Sequence, residues 1–450
     1  MRSSVNSEKI FFTADILSEI ECRSLADVLC SSFDLLMQQL RYALKNSLFY
    51  QKKFKTIDFR TKNFSLDAFR SLPFTEKSEL LVDQEAFPPF GSNLCVDLAS
   101  VVRVHKTSGT TGRPLIIALT DEDLRWTKLA GGRCFYSAGL RSSDLVFHCL
   151  NFCMWAGGLT DCLSLENVGA SVVPFGVGNS KNLIEMMLLL KPSAIHCTPS
   201  YLSKLEQLLH EDYSLKPEQL GLKLGLFGAE GGLEDAHYRS KIEQTWGIRA
   251  INANYGMADV LATFGAECSQ RDGLHFMGQH ILYPELIDPQ RMTPRPIVEG
   301  AVGELVLTNL CKQAQPLIRY RTRDIIEVIA TGPCSCGRGG MRFRILGRSD
   351  DMFVVKGVNV FPSTVSHVIR SMPDVLSGEY QIYIDKNQPI KKMLIKLELS
   401  AGVQLVESLQ QRVTTALASK LSFHPAIEFL PAGSLPRTAE KTKHVFKLLD

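Results

Sequence analysis

The chain has 450 residues, of which 45% are hydrophobic and 22% are charged, a composition typical of a folded globular protein rather than a disordered or fibrous one. Its length exceeds that of one ordinary hydrophobic core, so about two or three domains are expected. The formal net charge of +3 is close to balance, so electrostatics give no reason to expect nucleic acid or an anionic membrane as a partner. Small ligands are the better expectation.

The first residues of the chain and its apolar runs indicate the cellular compartment. The first residues, MRSSVNSEKIFF, lack the apolar core of about 7–15 residues that a secretory signal needs. The most apolar run, LIEMMLLL at 183–190, is shorter than the roughly 18–20 residues of a membrane span. We therefore predict a cytoplasmic protein, in which the 12 cysteines are reduced thiols or metal ligands rather than a disulfide framework.

The first 95 residues are predicted to be mostly helical. From about residue 100 to 260, short apolar runs alternate with longer amphipathic stretches, the first of which follows Thr120. Because alternating strands and helices form parallel pairs with right-handed crossovers, this region predicts a doubly wound α/β body. The predicted strands are SVVRV at 100–104, DLVFHCL at 144–150, ASVVPF at 170–175, AIHC at 194–197, KLGLFG at 223–228 and RAINA at 249–253.

The pattern changes in the last third of the chain. About residues 265–347 contain shorter β-like runs with turn residues, which predict a β-rich subdomain. Beyond them, the alternating strand KKMLIKLELS precedes a predicted helix with one apolar stripe. We therefore predict a large domain over 1–347 and a small α+β lid domain over 348–450. The stripe consists of Leu405, Leu409, Val413, Leu417 and Leu421.

The loop HKTSGTTGRPL, at 105–115, concentrates hydroxyl side chains, glycines and two cations after a predicted strand. Backbone N–H groups in such a turn can point together into an anion-binding concavity, to which hydroxyls and cations add donors. Composition alone leaves two alternatives, a polyphosphate site and a plain turn. The spacing differs from that of a P-loop NTPase, because Gly109 and Gly112 are followed by no Lys-Ser or Lys-Thr pair.

Five further motifs follow this loop in a fixed order. They are FGAE at 227–230, YGMAD at 255–259, RYRTRD at 319–324, GRSDDMFVVKGVNVFP at 347–362 and LPRTAEK at 435–441. In this order the set resembles the adenylate-forming acyl-ligase superfamily, and specifically its phenylacetate–coenzyme A ligase branch. The resemblance covers about residue 50 to the C-terminus. It implies a large N-terminal domain with doubly wound sheets and a β-rich subdomain, followed by a mobile C-terminal lid.

The resemblance also implies a nucleotide site. Asp324 matches the aspartate that holds the two ribose hydroxyls, and Arg348 matches a nucleotide-contacting arginine. The remaining matches are Thr107, Ser108, Gly109, Thr110, Thr111 and Gly112 for the phosphates of ATP, Gly228, Ala229 and Glu230 for the adenine, and Tyr255 with Gly256 for the base and the α-phosphate region.

Three residues are implied to serve the reaction itself. Lys441 matches the lysine that bridges the substrate carboxylate and the α-phosphate, and Asp350 matches the hinge about which the lid turns. Asp259 stands where the family usually has the glutamate that coordinates Mg²⁺, which shortens the reach to the metal by one methylene. A second departure is Glu440, which precedes the lysine where glycine is usual, and Lys443 is a competing candidate for the catalytic amine.

The acyl pocket is expected near FCMWAGG, at 152–158, and near the ends of the strands that carry Gly228 and Tyr255. Phe152 and Trp155 could form an apolar or aromatic wall, and Gly157 and Gly158 leave room for the acyl group. Ala156 is a further predicted pocket residue. The alternative is that these side chains belong to the core beside a helix start.

Three cysteines and one histidine predict a structural zinc site. Cys334 and Cys336 form C-x-C in a turn, and Cys268 with His275 forms C-x6-H in the preceding segment. Three thiolates and an imidazole satisfy the closed tetrahedron that structural Zn²⁺ prefers. The alternative is a set of reduced thiols, and Cys311 is an alternative fourth ligand.

The resemblance implies an ATP-dependent carboxylate ligase that forms an acyl-adenylate and then a thioester, most directly an aryl- or arylacetyl-CoA. The expected cofactors are ATP, Mg²⁺, coenzyme A and structural Zn²⁺, and the expected partners are a small carboxylic acid and, by resemblance alone, a second copy of the chain. No nucleic acid or membrane partner is expected. Two alternatives stay open: acyl transfer to a carrier-protein thiol or an amine, and a non-catalytic nucleotide-binding relative.

Overall fold

The computed structural model describes residues 16–55, 57, 65–107, 113–351, 353–355, 358–385, 390, 392–436 and 444–447. The chain divides into two compact units. The first comprises 1–230, 245–322 and 326–344, and the second comprises 231–244, 323–325 and 345–450. The predicted division into domains at residue 347 stays a prediction.

The described part of the N-terminal region is helical, in agreement with the sequence. A short 3-10 helix, Glu19–Cys22, precedes five α-helices. Apolar side chains of the second and third helices form a buried cluster with Phe69 and Tyr283, which anchors this region to the rest of the first unit. The five helices are α1 (Leu25–Ser31), α2 (Phe33–Asn46), α3 (Leu48–Lys53), α4 (Leu66–Arg70) and α5 (Lys77–Ala86).

The body of the first unit alternates strands and helices. Two 3-10 helices, Leu98–Ser100 and Pro217–Leu220, lie among its elements. The elements in chain order are β1 (Arg103–Lys106), β2 (Ile116–Leu119), α6 (Asp121–Ser137), β3 (Leu145–His148), α7 (Ala156–Asn167), β4 (Ser171–Val173), α8 (Ser180–Leu190), β5 (Ala194–Cys197), α9 (Pro199–Tyr213), β6 (Leu224–Gly228), α10 (Ala236–Trp246) and β7 (Arg249–Met257).

The following segment is rich in strands, as the sequence indicates. Its strands are β8 (Leu261–Ala266), β9 (Leu274–Phe276), β10 (Leu282–Ile287), β11 (Pro294–Arg295), β12 (Val302–Asn309), β13 (Tyr320–Ala330) and β14 (Arg342–Arg348). They join the preceding strands in one 12-stranded sheet of order β11-β10-β12-β13-β14-β9-β8-β7-β6-β5-β3-β4.

The parallel half of this sheet confirms the predicted α/β class. Strands β7, β6, β5, β3 and β4 pair in parallel, whereas β8 pairs antiparallel with both β7 and β9. Strand β5 is buried along its whole length, as expected for a parallel strand covered on both faces. The carboxyl ends of these strands form the edge at which ligands of open α/β sheets bind.

The first predicted strand differs from expectation. It was predicted within the parallel sheet, but β1 pairs antiparallel with β2 in a separate two-stranded sheet. The connection between them is too short for the crossover that parallel pairing needs, so a hairpin forms instead. Helix α6 then begins at a capping box, because Thr120 Oγ1 accepts the Asp123 N–H at 3.1 Å and Asp123 Oδ2 accepts the Thr120 N–H at 3.0 Å.

The second unit has its own hydrophobic core and a four-stranded sheet of order β19-β18-β17-β20. Val413, Leu417 and Leu421 are buried in that core and Leu409 packs against it, as predicted. Leu405 is 40% exposed because the helix begins only at Glu407. The elements from residue 353 onward are β15 (Phe353–Val355), β16 (Val358–Val360), α11 (Pro362–Arg370), β17 (Leu376–Ile384), β18 (Met393–Leu399), α12 (Glu407–Leu421), β19 (Ala426–Leu430) and β20 (Val445–Lys447).

In the described segments, every helix is too short or too polar to cross a membrane.

Candidate active site

The predicted adenine residues lie where β6 ends, beside the predicted Tyr255–Gly256 pair on β7. Gly228 is the last residue of β6, and its register partner on β7 is Asn254. Ala229 follows in the left-handed region, with φ of +66°, which turns the chain sharply at the strand end. Glu230 accepts a hydrogen bond from the Ser200 hydroxyl at 2.9 Å. These residues therefore share the carboxyl edge of the parallel strands.

Glycine at 256 permits a close approach between two strands. A Cβ at this position would lie 2.0 Å from the carbonyl oxygen of Ala262, which belongs to the backbone of β8. The neighbouring Tyr255 ring lies edge-on to Phe264 at 5.1 Å and to Phe343 at 5.5 Å between ring centroids. Backbone proximity and ring packing thus fix this part of β7.

Replacing Gly256 by alanine is expected to lower the free energy of unfolding by about 1–3 kcal/mol, because the strand backbone cannot move aside without breaking the sheet register. Denaturant unfolding measures this change. Gly332→Ala is a matched control, since nothing lies within 4 Å of a Cβ added there. Equal stability of the two variants would contradict the close approach of β7 and β8.

Asp259, the predicted Mg²⁺ ligand, is buried and held by three groups. The Tyr320 hydroxyl donates to its Oδ2 at 2.5 Å, and the Lys77 ammonium lies 3.7 Å from the same oxygen. The buried Lys312 ammonium donates to its backbone carbonyl at 2.6 Å. Both side-chain contacts use Oδ2, so among the described residues Oδ1 is left for another ligand. One carboxylate oxygen beside phosphate oxygens fits Mg²⁺, which keeps several waters and needs few protein ligands.

The base of the predicted phosphate loop is bonded to the predicted acyl segment. Thr107 closes the loop, since its N–H donates to the Leu115 carbonyl and its Oγ1 accepts the Leu115 N–H, both at 3.0 Å. The Lys106 N–H donates to the Met154 carbonyl at 2.9 Å. The predicted loop residues Ser108, Gly109, Thr110, Thr111 and Gly112 lie outside the described residues.

The predicted acyl residues lie around the start of α7. Trp155 precedes the helix, Ala156 is its first residue and is buried, and Phe152 and Gly157 are half-buried. Gly158 is required by packing, because a Cβ there would lie 2.2 Å from the Asn151 carbonyl oxygen. The segment is thus folded tightly on itself rather than splayed into solvent.

Ala156, one of the five predicted acyl residues, lines a small cavity between α6, α7 and the turns after β7 and β12. Thr160 and His105 also line it, and they are 3.2 Å apart between Oγ1 and Nε2. Lys312 and Asp123 bring opposite charges to the same cavity. The lining of this cavity is therefore largely apolar with a few convergent polar groups.

In the second unit, Arg348 connects two predicted residues. Its Nη1 donates to Asp324 Oδ1 at 3.0 Å, and its Nε and Nη2 donate to the two oxygens of Asp350, each at 2.9 Å. This fork-like pairing joins the predicted hinge to the predicted ribose ligand. Lys441, Glu440 and Lys443 lie outside the described residues.

The four predicted zinc ligands come together. Their ligand atoms all lie within 4.8 Å of one another, and all four residues are buried. Cys268 Sγ is 3.8 Å from Cys334 Sγ, and Cys336 Sγ is 3.7 Å from His275 Nε2. A tetrahedral ion with Zn–S bonds of about 2.3 Å places two sulfurs about 3.8 Å apart, so the donor set fits Zn²⁺. Cys311, the alternative ligand, lines the α6–α7 cavity instead.

A buried arginine lies beside the cysteine cluster. Hydrogen bonding from Cys268, with His275 as a further partner, holds the pKa of the Cys336 thiol below its ordinary value. The Arg338 guanidinium lies 3.7 Å from Cys336 Sγ and pairs with buried Glu21 at 2.7 Å. Three thiolates, a neutral imidazole and Zn²⁺ would carry one negative charge, which this arginine would offset.

Several residues that contact Asp259 or the acyl segment were not predicted from the sequence. Lys77, Lys312 and Tyr320 surround Asp259, and His105 contacts the acyl segment through the Met154 carbonyl at 3.3 Å. For two of them the sequence offers a signal, since Tyr320 lies within RYRTRD and His105 begins the glycine-rich loop, whereas Lys77 and Lys312 lie outside every motif.

Comparison with known proteins shows that this is an α/β adenylate-forming ligase fold with a C-terminal AMP-binding domain. Residues 357–448 match the family model described as the AMP-binding enzyme C-terminal domain. Among solved structures, 2-hydroxyisobutyryl-CoA ligase in complex with R3-HIB-AMP is 28% identical, with a TM-score of 0.87 over 98% of this chain and 94% of that one. The anthranilate CoA ligase AuaEII, 22% identical over 75% of this chain and 64% of that one, shares the fold with a TM-score of 0.56.

Among curated proteins, the phenylacetate-coenzyme A ligase of Pseudomonas putida is 30% identical over 439 residues, which cover 96% of each chain. The ligase of the same name from Escherichia coli (strain K12) is 30% identical over 445 residues, covering 96% of this chain and 97% of that one. The chain therefore belongs to the phenylacetate–coenzyme A ligase family of adenylate-forming enzymes, and it is an AMP-forming acyl-CoA ligase.

Proposed function

We propose that this ligase activates an aromatic or arylacetic acid with ATP and transfers the acyl group to coenzyme A. The observation that carries the proposal is the hydrogen bond from the Lys106 N–H to the Met154 carbonyl, at 2.9 Å. It joins the strand that leads into the phosphate loop to the segment with Phe152 and Trp155. A planar acyl group against these rings would lie beside the phosphates of the nucleotide.

The relatives support the choice of acid and acceptor. The curated ligases at 30% identity carry phenylacetate in their names. A structure of 2-hydroxyisobutyryl-CoA ligase with 2-HIB-AMP and CoA, 27% identical with a TM-score of 0.70 over 98% of this chain and 97% of that one, supports coenzyme A as the acceptor. Because that structure also contains 2-HIB-AMP, a short hydroxy acid is the second candidate substrate.

The proposed reaction has two steps. A carboxylate oxygen attacks the α-phosphorus of ATP, and pyrophosphate leaves to give the acyl-adenylate. The thiolate of coenzyme A then attacks the acyl carbon, and AMP leaves with the bonding electrons to give the thioester. Lys441 would lie between the carboxylate and the α-phosphate in the first step, where its charge offsets the repulsion between two anions. Asp350 would serve as the hinge between the two steps.

Residues of the glycine-rich loop and of the later motifs would hold the nucleotide. We assign Thr107 to Gly112 to the phosphates, Gly228 to Glu230 to the adenine, and Tyr255 with Gly256 to the base and α-phosphate region. Asp324 would accept both ribose hydroxyls, and Arg348 would contact the nucleotide. Asp259 would hold Mg²⁺ through Oδ1, and the ion would neutralise charge on the phosphates. Cys268, His275, Cys334 and Cys336 would hold a structural Zn²⁺.

ATP–pyrophosphate exchange with Mg²⁺, measured against aryl, arylacetic, fatty, amino and short hydroxy acids, tests this proposal. We expect exchange to be fastest with an arylacetic or aryl acid, and coenzyme A alone to release AMP and form the thioester. Preference for a fatty, amino or hydroxy acid would contradict the aromatic assignment. Adenylation without CoA-dependent AMP release would favour a carrier protein or amine as the acceptor, and nucleotide binding without any exchange would favour a non-catalytic relative.

A further inference from the structure

A buried polar cluster lies beside the acyl segment, and the proposed reaction does not use it. We call it the histidine cluster, and it consists of His148, His196, Asp161, Asn254 and Thr263. His148 on β3 and His196 on β5 are register partners on neighbouring parallel strands. Their rings are stacked, with centroids 4.9 Å apart, and their Nδ1 atoms are 2.8 Å apart. Both side chains are completely shielded from solvent.

The hydrogen bonds of the two histidines run in one direction. His148 Nε2 lies 2.7 Å from the Gly158 carbonyl, which can only accept, so this nitrogen carries the hydrogen. Burial lowers the pKa of His148 to about 4, and burial and His148 together lower that of His196, so both rings are neutral near pH 7. His148 Nδ1 is then an acceptor, and His196 Nδ1 donates to it. The resulting tautomers leave His196 Nε2 without a hydrogen.

The cluster continues through Asp161 to two strands of the same unit. His196 Nε2 lies 4.0 Å from Asp161 Oδ2 and has no hydrogen-bond partner within the described ranges. The Thr263 hydroxyl donates to Asp161 Oδ1 at 2.9 Å, and the Asn254 amide donates to Asp161 Oδ2. Asp161 belongs to α7, Thr263 to β8 and Asn254 to β7, so the cluster ties these elements together. Burial raises the pKa of Asp161, which favours its neutral form.

The two ends of the cluster lie at the two halves of the proposed site. At one end, His148 holds the Gly158 carbonyl in the first turn of α7 and lies edge-on to the Phe152 ring at 5.3 Å between centroids. At the other end, Asn254 immediately precedes Tyr255 and pairs with Gly228. A Cβ added at Gly157 would lie 3.4 Å from Asp161 Oδ2, so the cluster also borders the middle of the acyl segment.

Packing alone does not require this chemistry. Burying polar groups costs free energy unless they are hydrogen-bonded, whereas apolar side chains could fill the same layer between α6, α7 and the sheet. The cluster instead has two hydrogen-bonded parts 4.0 Å apart, one joining His148, His196 and the Gly158 carbonyl and the other joining Asp161, Asn254 and Thr263. Within each part the hydrogen bonds specify one arrangement, because each donor and acceptor has a required direction. The arrangement specified here is the position of the acyl segment relative to β7.

We propose that the histidine cluster is a positioning network that fixes the acyl segment relative to β7 and thereby determines which acid the ligase accepts. His148 is its key positioning residue, since within the cluster it is the member that bonds the Gly158 carbonyl of the acyl segment and contacts Phe152. This inference rests on the proposed function, because it concerns the acid that is activated.

The test compares His148→Leu with His148→Gln in the full chain by ATP–pyrophosphate exchange. Leucine removes the hydrogen bond to Gly158, so we expect the KM for the preferred acid to rise about tenfold while the KM for ATP stays within about twofold. The ratio of kcat/KM between an arylacetic acid and a smaller acid should change as well. Glutamine can place its amide nitrogen near the former Nε2 position, so it should restore most of the acid KM.

Phe147→Leu is the matched control. Phe147 is also completely buried on β3, but it faces the opposite side of the sheet, where its ring lies 6.3 Å from Phe175. It should lower stability without changing the acid KM or the acid preference. Amide hydrogen exchange provides a second readout, since His148→Leu should speed exchange in residues 155–160 whereas Phe147→Leu should not.

The outcomes separate the two proposals. If His148→Leu and Phe147→Leu lower the rate equally with unchanged KM values and unchanged exchange in residues 155–160, the histidine cluster is only structural and the inference is overturned. Rescue by glutamine together with an altered acid preference supports it. A wild-type chain that exchanges with no acid would overturn the proposed function and the role in acid selection together.

Discussion

Replacing Asp259 by asparagine is expected to slow ATP–pyrophosphate exchange by about 100-fold or more, because a metal ion contributes several kcal/mol to stabilising phosphate charge in the transition state. The amide is nearly isosteric and can still accept the Tyr320 hydroxyl, so the fold should survive. It removes the negative charge that faces Lys77 at 3.7 Å and that would bind Mg²⁺. Exchange rates measured over a range of Mg²⁺ concentrations should show that more metal is needed for half-maximal activity.

Two further variants sharpen this test. Tyr320→Phe removes only the hydroxyl that donates to Asp259 Oδ2. It should therefore slow ATP–pyrophosphate exchange by about tenfold or less, mainly because the carboxylate is held less firmly. Asp97→Asn changes an exposed carboxylate and should leave both the rate and the Mg²⁺ dependence unaltered. If Asp259→Asn keeps the wild-type Mg²⁺ dependence, Asp259 is a structural carboxylate and the proposed metal position is wrong.

The three groups around Asp259 also account for its being an aspartate in this chain. A glutamate side chain would extend one methylene further into a site already occupied by the Tyr320 hydroxyl and the Lys77 ammonium. The Lys312 bond to the main-chain carbonyl fixes the backbone from the other side, at 2.6 Å. The shorter side chain is thus matched to closely packed neighbours, and in the proposed metal site a fixed position would offset the loss of reach.

Local patterns predicted most of the fold because they reflect local physics. Alternating apolar runs identified β3 to β7, since β3 to β6 are short strands each followed by a helix. The same reasoning placed Leu405 on a helix that begins only at Glu407, because an apolar stripe does not record where a helix starts. It also placed β1 in the parallel sheet, where the length of the following connection should have predicted a hairpin.

The candidate site was less accessible to sequence reasoning wherever it depends on pairing between distant strands. His148 and His196 occur singly in the apolar runs DLVFHCL and AIHC, where an isolated histidine signals little. They meet because β3 pairs with β5 in the sheet. The order of strands in a sheet cannot be read from their order along the chain. The four predicted zinc ligands, which the structure brings together, could be singled out because C-x-C and C-x6-H are short spacings in which residue type alone carries information.

The second large effect is expected at the cysteine cluster. Replacing Cys336 by serine should remove a bound Zn²⁺ and lower the free energy of unfolding by about 4 kcal/mol or more, since losing a structural metal is among the few changes with effects of that size. Elemental analysis of the purified chain should give about one zinc per wild-type molecule, and thermal unfolding with and without a chelator measures the loss. The Cys30→Ser variant, which changes an exposed thiol, should retain both the metal and the stability.

The zinc content and the effect of the chelator also distinguish a metal site from a buried group of hydrogen-bonded thiols. If the wild-type chain carries no zinc and a chelator leaves its unfolding unchanged, the four residues form only a buried hydrogen-bonded group, and Cys336→Ser should then cost only about 1–3 kcal/mol. Zinc that is present in the wild type and absent from Cys336→Ser would instead establish the metal as part of the fold. Cys268 and His275 lie on either side of the turn that leads into β9, and Cys334 and Cys336 lie between β13 and β14. Such an ion would therefore link two segments that are far apart in the sequence.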